Sequence, residues 1–373
     1  MATPPLLFTP VTIPAPSGAG MFVRNRAFVA PMCQYAIDAG DGVPHDWHLQ
    51  NLGAFAAGGF GLVVTEATGV TAEGRISPGD VGLWNDEQTA AHARLVAFAH
   101  SQGAAAGAQL AHAGGKASTY PALPGFGAGT VPPEAGGWAT VGVADAPVLP
   151  SLAPARALDA DGIAGVVEAF AASARRADAA GYDVVQIHAA HGYLLHQFCS
   201  PLTNTRTDGY GGSEANRTRI VREVVDAVRA AWPADKPLGI RLSATDWVES
   251  GWDVAANARL ARVLVERHGV TWVDASSGGL TAGSAVPVAP GYQVPLASRI
   301  HAALAGTGAV VSAVGLIDDA RQAETILVSG QADAVSIGRA ALRNPHWAAA
   351  AASELGVLPA DNPQAPQYAR SGY

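Results

Sequence analysis

Eight short apolar runs, separated by segments long enough to be helices, constrain this chain more than any other feature of its sequence. They are Phe28–Met32, Leu62–Glu66, Ala105–Leu110, Val184–His188, Leu238–Leu242, Trp272–Ser276, Ala309–Ala313 and Ala334–Ile337. Each is nearly continuous in its apolarity rather than alternating, as strands covered on both faces of a parallel sheet are. The intervening segments carry the helical period. Asp161–Ala180 places Ile163, Val166, Val167, Phe170 and Ala174 on one face and meets Gly181, a natural left-handed stop. Arg219–Trp232 repeats the pattern through Ile220, Val224, Val225 and Val228, and Asp318 is positioned to cap a helix running to Ser329. Eight strands alternating with helices predict a closed (β/α)8 TIM barrel, in a single domain spanning 1–373. An open doubly wound sheet is the rival, but no Gly-x-Gly-x-x-Gly opens the first helix.

One long interruption follows the third run. Residues 117–154 are crowded with glycine and proline, and a loop of that length in a compact domain reads as a lid inserted over a barrel mouth. Residues 360–373 form a C-terminal tail.

Composition removes several classes of function. The 23 Lys and Arg residues are dispersed among 31 Asp and Glu, for a net charge of −8 without any basic cluster, so neither nucleic acid nor an anionic membrane is an expected partner. Two cysteines, Cys33 and Cys199, can hold neither a disulfide framework nor a four-thiolate iron–sulfur cluster. No apolar run approaches the roughly 20 residues that span a bilayer, and the first residues lack the basic-then-apolar order of a signal peptide. The expectation is a cytoplasmic protein.

The polar residues that close each apolar run carry the chemistry. If the runs are barrel strands, these residues gather at the C-terminal mouth, where barrel enzymes keep their active sites. The first run leads through Ala30, Pro31 and Met32 into Cys33 and Tyr35, the second ends at Glu66 and Ala67, and the third contains Gln109. Arg241 lies inside the fifth run, where a buried charge requires an anionic partner. Gly315 follows the seventh and Gly338-Arg339 the eighth, the two places where barrels bind phosphate on backbone N–H groups, here with a guanidinium beside them. The fourth run ends in His188, His191 and Tyr193. Two imidazoles beside a phenol can polarise a carbonyl oxygen and deliver a proton to a neighbouring carbon. They can also be hydrogen-bonded core histidines or metal ligands spaced i, i+3, although a zinc site would want a further ligand and a carboxylate close by.

Taken in order, a set of motifs resembles the old yellow enzyme family of FMN-dependent ene-reductases over nearly the whole chain, closest to its xenobiotic-reductase and thermophile-like branch. The motifs are Ala30-Pro31-Met32-Cys33-Gln34-Tyr35, Glu66-Ala67, Glu73-Gly74-Arg75-Ile76, Gln109-Leu110-Ala111-His112-Ala113-Gly114 and His188-Ala189-Ala190-His191-Gly192-Tyr193. Arg206 through Ser213, Pro290-Gly291-Tyr292-Gln293-Val294, Gly338-Arg339 and Gln367-Tyr368-Ala369-Arg370 continue the series.

The resemblance implies FMN as the bound cofactor and NADPH or NADH as co-substrate. It implies that Ala30, Pro31, Met32, Cys33, Ala67 and Gln109 surround the flavin ring, that Arg241 finds its anionic partner in the N1–O2 side of the flavin, and that Gly315, Gly338 and Arg339 hold the phosphate. His188 and His191 would grip the oxygen of a small-molecule activated alkene, Tyr193 would protonate it, and Tyr35 would line the pocket. Arg370 would reach a neighbouring subunit's site, implying a homo-oligomer, a dimer or a tetramer. No metal is implied. The chain departs from the family pattern at Gly115, where an arginine is usual. A metal-dependent barrel hydrolase or lyase using the histidine pair, and an FMN-binding protein without ene-reductase turnover, are the alternatives.

Overall fold

All eight apolar runs become strands, and the strands close. In a computed structural model that describes residues 4–18 and 20–371, β1 (Ala27–Val29), β2 (Leu62–Gly69), β3 (Ala105–Ala111), β4 (Val184–Ala189), β5 (Leu238–Ser243), β6 (Trp272–Ser276), β7 (Val310–Val314) and β8 (Ala334–Ile337) pair in parallel with their sequence neighbours, and β8 returns to β1. Residues 1–3 and 19, together with Gly372 and Tyr373 of the expected tail, lie outside the described residues. The expected TIM barrel is present, and among the described residues no helix is long and apolar enough to cross a membrane.

The outer shell is formed by α1 (Asp46–Ala57), α2 (Asp86–Ser101), α3 (Ala160–Ala179), α4 (Arg219–Ala231), α5 (Val254–His268), α6 (Val294–Ala303), α7 (Ala320–Val328) and α8 (Trp347–Glu354). Side-chain caps start several of them: Asn85 accepts from the Gln88 amide, Asp159 from Gly162 and Asp253 from Ala256. The cap of α7 is Asp319, which accepts from Gln322, and not Asp318, whose carboxylate instead pairs with Arg343. The first strand is also shorter than its apolar run. Its ladder stops after Val29 and one further bond from the Ala30 amide to Ile337, since Pro31 has no N–H with which to continue it.

Strand parity divides the barrel into two environments. One face of each strand packs outward on the helices, as Val185, Ile187, Ile240, Val273, Val311 and Val335 do. The inward face changes character with height. At the N-terminal end, Phe28, Leu62, Val64, Val184, Trp272 and Val310 fill the interior, with Phe28 and Trp272 edge to face at 5.9 Å. An antiparallel hairpin, Val11–Ile13 with Met21–Val23, packs on this floor and plugs it.

Above the floor the interior turns polar. Gln109 Nε2 donates to Gln186 Oε1 at 2.7 Å. Arg241 and Asp274 are register partners on adjacent strands, and their Nε–Oδ2 distance is 2.9 Å. Asp274 also accepts from Ser312 at 2.7 Å and from Ser336 at 3.2 Å. The buried Arg241 therefore has an anionic partner within the chain itself. Removing one partner of a buried ion pair leaves an uncompensated charge. Asp274→Asn should therefore lower stability by about 3 kcal/mol, read as a drop in the midpoint of denaturant unfolding.

Candidate active site

The mouth of the barrel holds strained backbone. Among the described residues the non-glycine positions with positive φ are Tyr35, Ser118, His191, Trp247 and Leu316, at +52° to +59°. They follow β1, β3, β4, β5 and β7, so every one lies beyond the C-terminal end of a barrel strand. Strain gathered at one end of a fold marks where side chains are held for a purpose other than packing.

The His188, His191 and Tyr193 side chains come together there. His188 lies on the inner face of β4, level with Arg241 in register. Its ring centroid is 5.1 Å from that of His191 and 5.1 Å from that of Tyr193, edge to face in both cases. His191 sits in the left-handed region, its amide donating to Ser243 Oγ and its Nε2 lying 2.7 Å from Ser276 Oγ. His188 Nδ1 is buried without a protein partner. Burial, reinforced by the Arg241 charge, holds both imidazoles well below the usual histidine range, and burial pushes the Tyr193 phenol well above its own. Near neutrality the cluster consists of two neutral imidazoles and a protonated phenol.

One wall of the site is apolar. Ala67, Ile76, Ala111, Ala113 and Ala117 form a buried patch against which Cys33, Tyr35, Trp138 and Tyr193 pack. Cys33 is half-buried, and burial pushes its thiol up, out of the thiolate range. Cys199, by contrast, is fully in the core. Cys33 Sγ and carboxylate oxygens of Glu66 and Asp80 lie within 4.8 Å of one another, so the closest grouping of metal-ligand types among the described residues does not include the histidine pair.

The opposite side is a cavity of about 170 Å³ lined by Arg241, Gln293, Gly315, Leu316, Gly338 and Arg339. Gly315, at φ +125°, leaves no room for a side chain, since a Cβ there would stand 2.8 Å from Gln293 Nε2. Gly338 faces Met32 and Ala30, which links this cavity to the first strand. Gln186 Nε2, beside Gln109, is a buried amide donor without a partner. Two glycine turns and a guanidinium suit a phosphate, while Arg241 and the free amide suit the polar edge of a ring. The donor set thus fits FMN. Arg370 is exposed on the tail.

Residues 117–154 are not a structureless loop. They contain the turn Pro133–Ala135, a bridge between Thr119 and Thr130, and the strand Val141–Gly142, which pairs with Arg156–Ala157. Trp138 hooks the segment to the loop after β2: its Nε1 donates to the Glu73 carbonyl at 2.8 Å and Arg75 lies 5.0 Å from its ring, while its amide donates to Ser118 Oγ within the segment. Where the family pattern has arginine, Gly115 lets Val148 pack in, since a Cβ at 115 would stand 2.6 Å from Val148 Cγ2. Sequence reasoning assigned no role to Trp138, Ser243, Ser276 or Asp274. Only Asp274 carried a usable signal, as an acid at the level of Arg241 on the next strand.

Comparison with known proteins agrees with this fold. The family model described as NADH:flavin oxidoreductase / NADH oxidase family matches residues 6–356. An NADPH dehydrogenase of Listeria monocytogenes is 44% identical over 334 residues, covering 90% of this chain and 92% of the relative. Morphinone reductase superposes with a TM-score of 0.73 at 26% identity, over 99% of this chain and 90% of its own. The larger 2-naphthoyl-CoA reductase shares the fold, with a TM-score of 0.80 at 24% identity, and this chain spans 51% of its length.

The Trp138 anchor has a direct test. Trp138→Ala removes a hydrogen bond and a cation–π contact, together about 2 kcal/mol, so cleavage within 117–154 under limited proteolysis should quicken by roughly thirtyfold. Unchanged cleavage would mean the segment is held elsewhere.

Proposed function

The chain belongs to the NADH:flavin oxidoreductase / NADH oxidase family and is an oxidoreductase; on that premise we propose that it reduces the activated C=C bond of a small α,β-unsaturated carbonyl compound, nitroalkene or similar molecule. FMN would be held by Ala30, Pro31, Met32, Cys33, Ala67 and Gln109 around its ring, by Arg241, and by Gly315, Gly338 and Arg339 at its phosphate. When bound, FMN supplies the hydride, taken from NADPH or NADH, that reaches the β-carbon.

The observation that carries this reading is the His188 ring standing 5.1 Å, centroid to centroid, from both the His191 ring and the Tyr193 ring at the barrel mouth, where burial favours neutral imidazoles and a protonated phenol. His188 and His191 donate hydrogen bonds to the substrate oxygen. That withdraws electron density from the β-carbon and stabilises the charge that develops on oxygen. Tyr193 gives its proton to the α-carbon. Ser276, bonded to His191, fixes the direction in which that imidazole points. Tyr35 lines the substrate pocket. The 1–373 unit works as one domain, with 117–154 as its lid, in the cytoplasm. Arg370, exposed on the 360–373 tail, completes a neighbouring copy's site, so the working form is a homo-oligomer, a dimer or a tetramer.

Purified protein should be yellow with bound FMN, and a colourless preparation that takes up no FMN refutes the assignment. Reduced protein should be reoxidised by cyclohexenone under anaerobic conditions. Tyr193→Phe should slow that step by about a hundredfold or more while leaving flavin reduction by NADPH nearly unchanged, and equal slowing of both steps argues against the donor role. Because burial keeps both histidines neutral, the alkene step should show no inflection near pH 6.5, where an ordinary histidine titrates. Its rate across about pH 5.5 to 7 checks this.

A further inference from the structure

The turn after β3 places a cation against the cluster. Gly114, at φ +62°, approaches so closely that a Cβ there would stand 2.9 Å from the Leu194 Cα, and the following Lys116 is driven inward beneath the loops after β4 and β6. Its ammonium donates to the His191 carbonyl at 2.7 Å and to the Gly279 carbonyl at 2.6 Å. It also lies 4.9 Å from the Tyr193 ring centroid. The two loops it ties are already back to back: a Cβ on Gly192 would stand 2.3 Å from Gly279 O, and one on Gly279 would stand 2.6 Å from the His191 backbone.

We propose that Lys116 is a positioning residue for alkene reduction: its ammonium staples the His191–Tyr193 turn to the loop after β6 and, lying against the Tyr193 ring, favours release of the phenolic proton. This rests on the reading of Tyr193 as proton donor. Without the staple the His191 carbonyl loses a charged donor, and the left-handed conformation that aims the imidazole loses a restraint. The electrostatic part follows from the transfer itself. The Tyr193 O–H bond breaks and a C–H bond forms at the α-carbon, using the electron pair left by hydride addition at the β-carbon. Negative charge remains on the phenolate until solvent returns a proton. A cation against the ring stabilises that charge, and at this half-buried position the effect is screened less than at an open surface.

The charged and titratable groups facing Lys116 are Tyr193, His191 and His188, with Arg241 and His196 beyond them. Both histidines are held neutral, and burial lowers the Lys116 ammonium to about 8. The cation is therefore present at neutral pH and is lost as pH rises through about 8.

The test uses FMN-loaded wild type, Lys116→Met and Lys116→Arg, with the two half-reactions followed separately by stopped flow. Lys116→Met should slow reoxidation by cyclohexenone by about tenfold or more and leave flavin reduction by NADPH within about threefold. The wild-type alkene step should fall as pH rises through about 8, Lys116→Met should lose that limb, and Lys116→Arg should recover rate with the limb moved to higher pH. Amide hydrogen exchange should quicken in Lys116→Met at residues 191–194 and 278–280. A retained limb in Lys116→Met, or equal slowing of both half-reactions, overturns the electrostatic role. Unchanged exchange overturns the staple. If wild type itself fails to reduce cyclohexenone, the alkene reading falls, and the staple is then decided by exchange alone.

Discussion

The ion pair between Arg241 and Asp274 sits at the level where the barrel changes from packed floor to working mouth. It is a cross-strand pair in the interior of a closed sheet, and each partner would be costly without the other. It also fixes register. A slip of one residue in β5 would turn Arg241 outward among the valines and isoleucines that meet the helices, and would turn Leu238, Ile240 and Leu242 inward. With register set at that level, His188 stands beside Arg241 and Gln186 beside Gln109, and Ser276 lies one inward step above Asp274. Of the side chains proposed to act on substrate, His188 shares the level of the ion pair, and His191 and Tyr193 follow it in the turn above.

Above that ladder the turns are held by close approach rather than by their own preferences. His191 adopts a conformation that non-glycine residues avoid, and it stays there because its amide, carbonyl and ring each have a separate partner: Ser243, Lys116 and Ser276. The strand ends supply the serines and the turn after β3 supplies the lysine. This division, with rigid strands below and over-determined turns above, fixes the His191 imidazole in one orientation.

Most of the architecture was legible in the residues. Continuous apolar runs announced buried parallel strands, and the eight runs found are the eight strands that close. The cluster after β4 was legible because three polar rings follow an apolar strand directly. The partners of those rings were harder to read. Ser243 and Ser276 are small polar residues on strands, with nothing in their local sequence to distinguish them from packing positions. Trp138 sits in a stretch so rich in glycine and proline that periodicity is silent, and its bond is to a backbone carbonyl, which has no sequence signature. The Asp318 and Asp319 pair was ambiguous for a different reason: two adjacent acids can each cap a helix, and only the chain's path chooses between them. Asp274 beside Arg241 went unread because register is a property of the closed sheet and not of either strand.

Gly115 carries a historical consequence. In this chain the space next to its Cα is filled by Val148, which belongs to a segment folded over it from more than thirty positions away. The two sites can therefore not vary independently. A lineage that gained a side chain at 115 would first have to shrink or displace residue 148, and one that shrank 148 first would carry a void until 115 grew. Substitutions along 117–154 are thus ordered in time by packing, and relatives should differ at these two positions together or at neither.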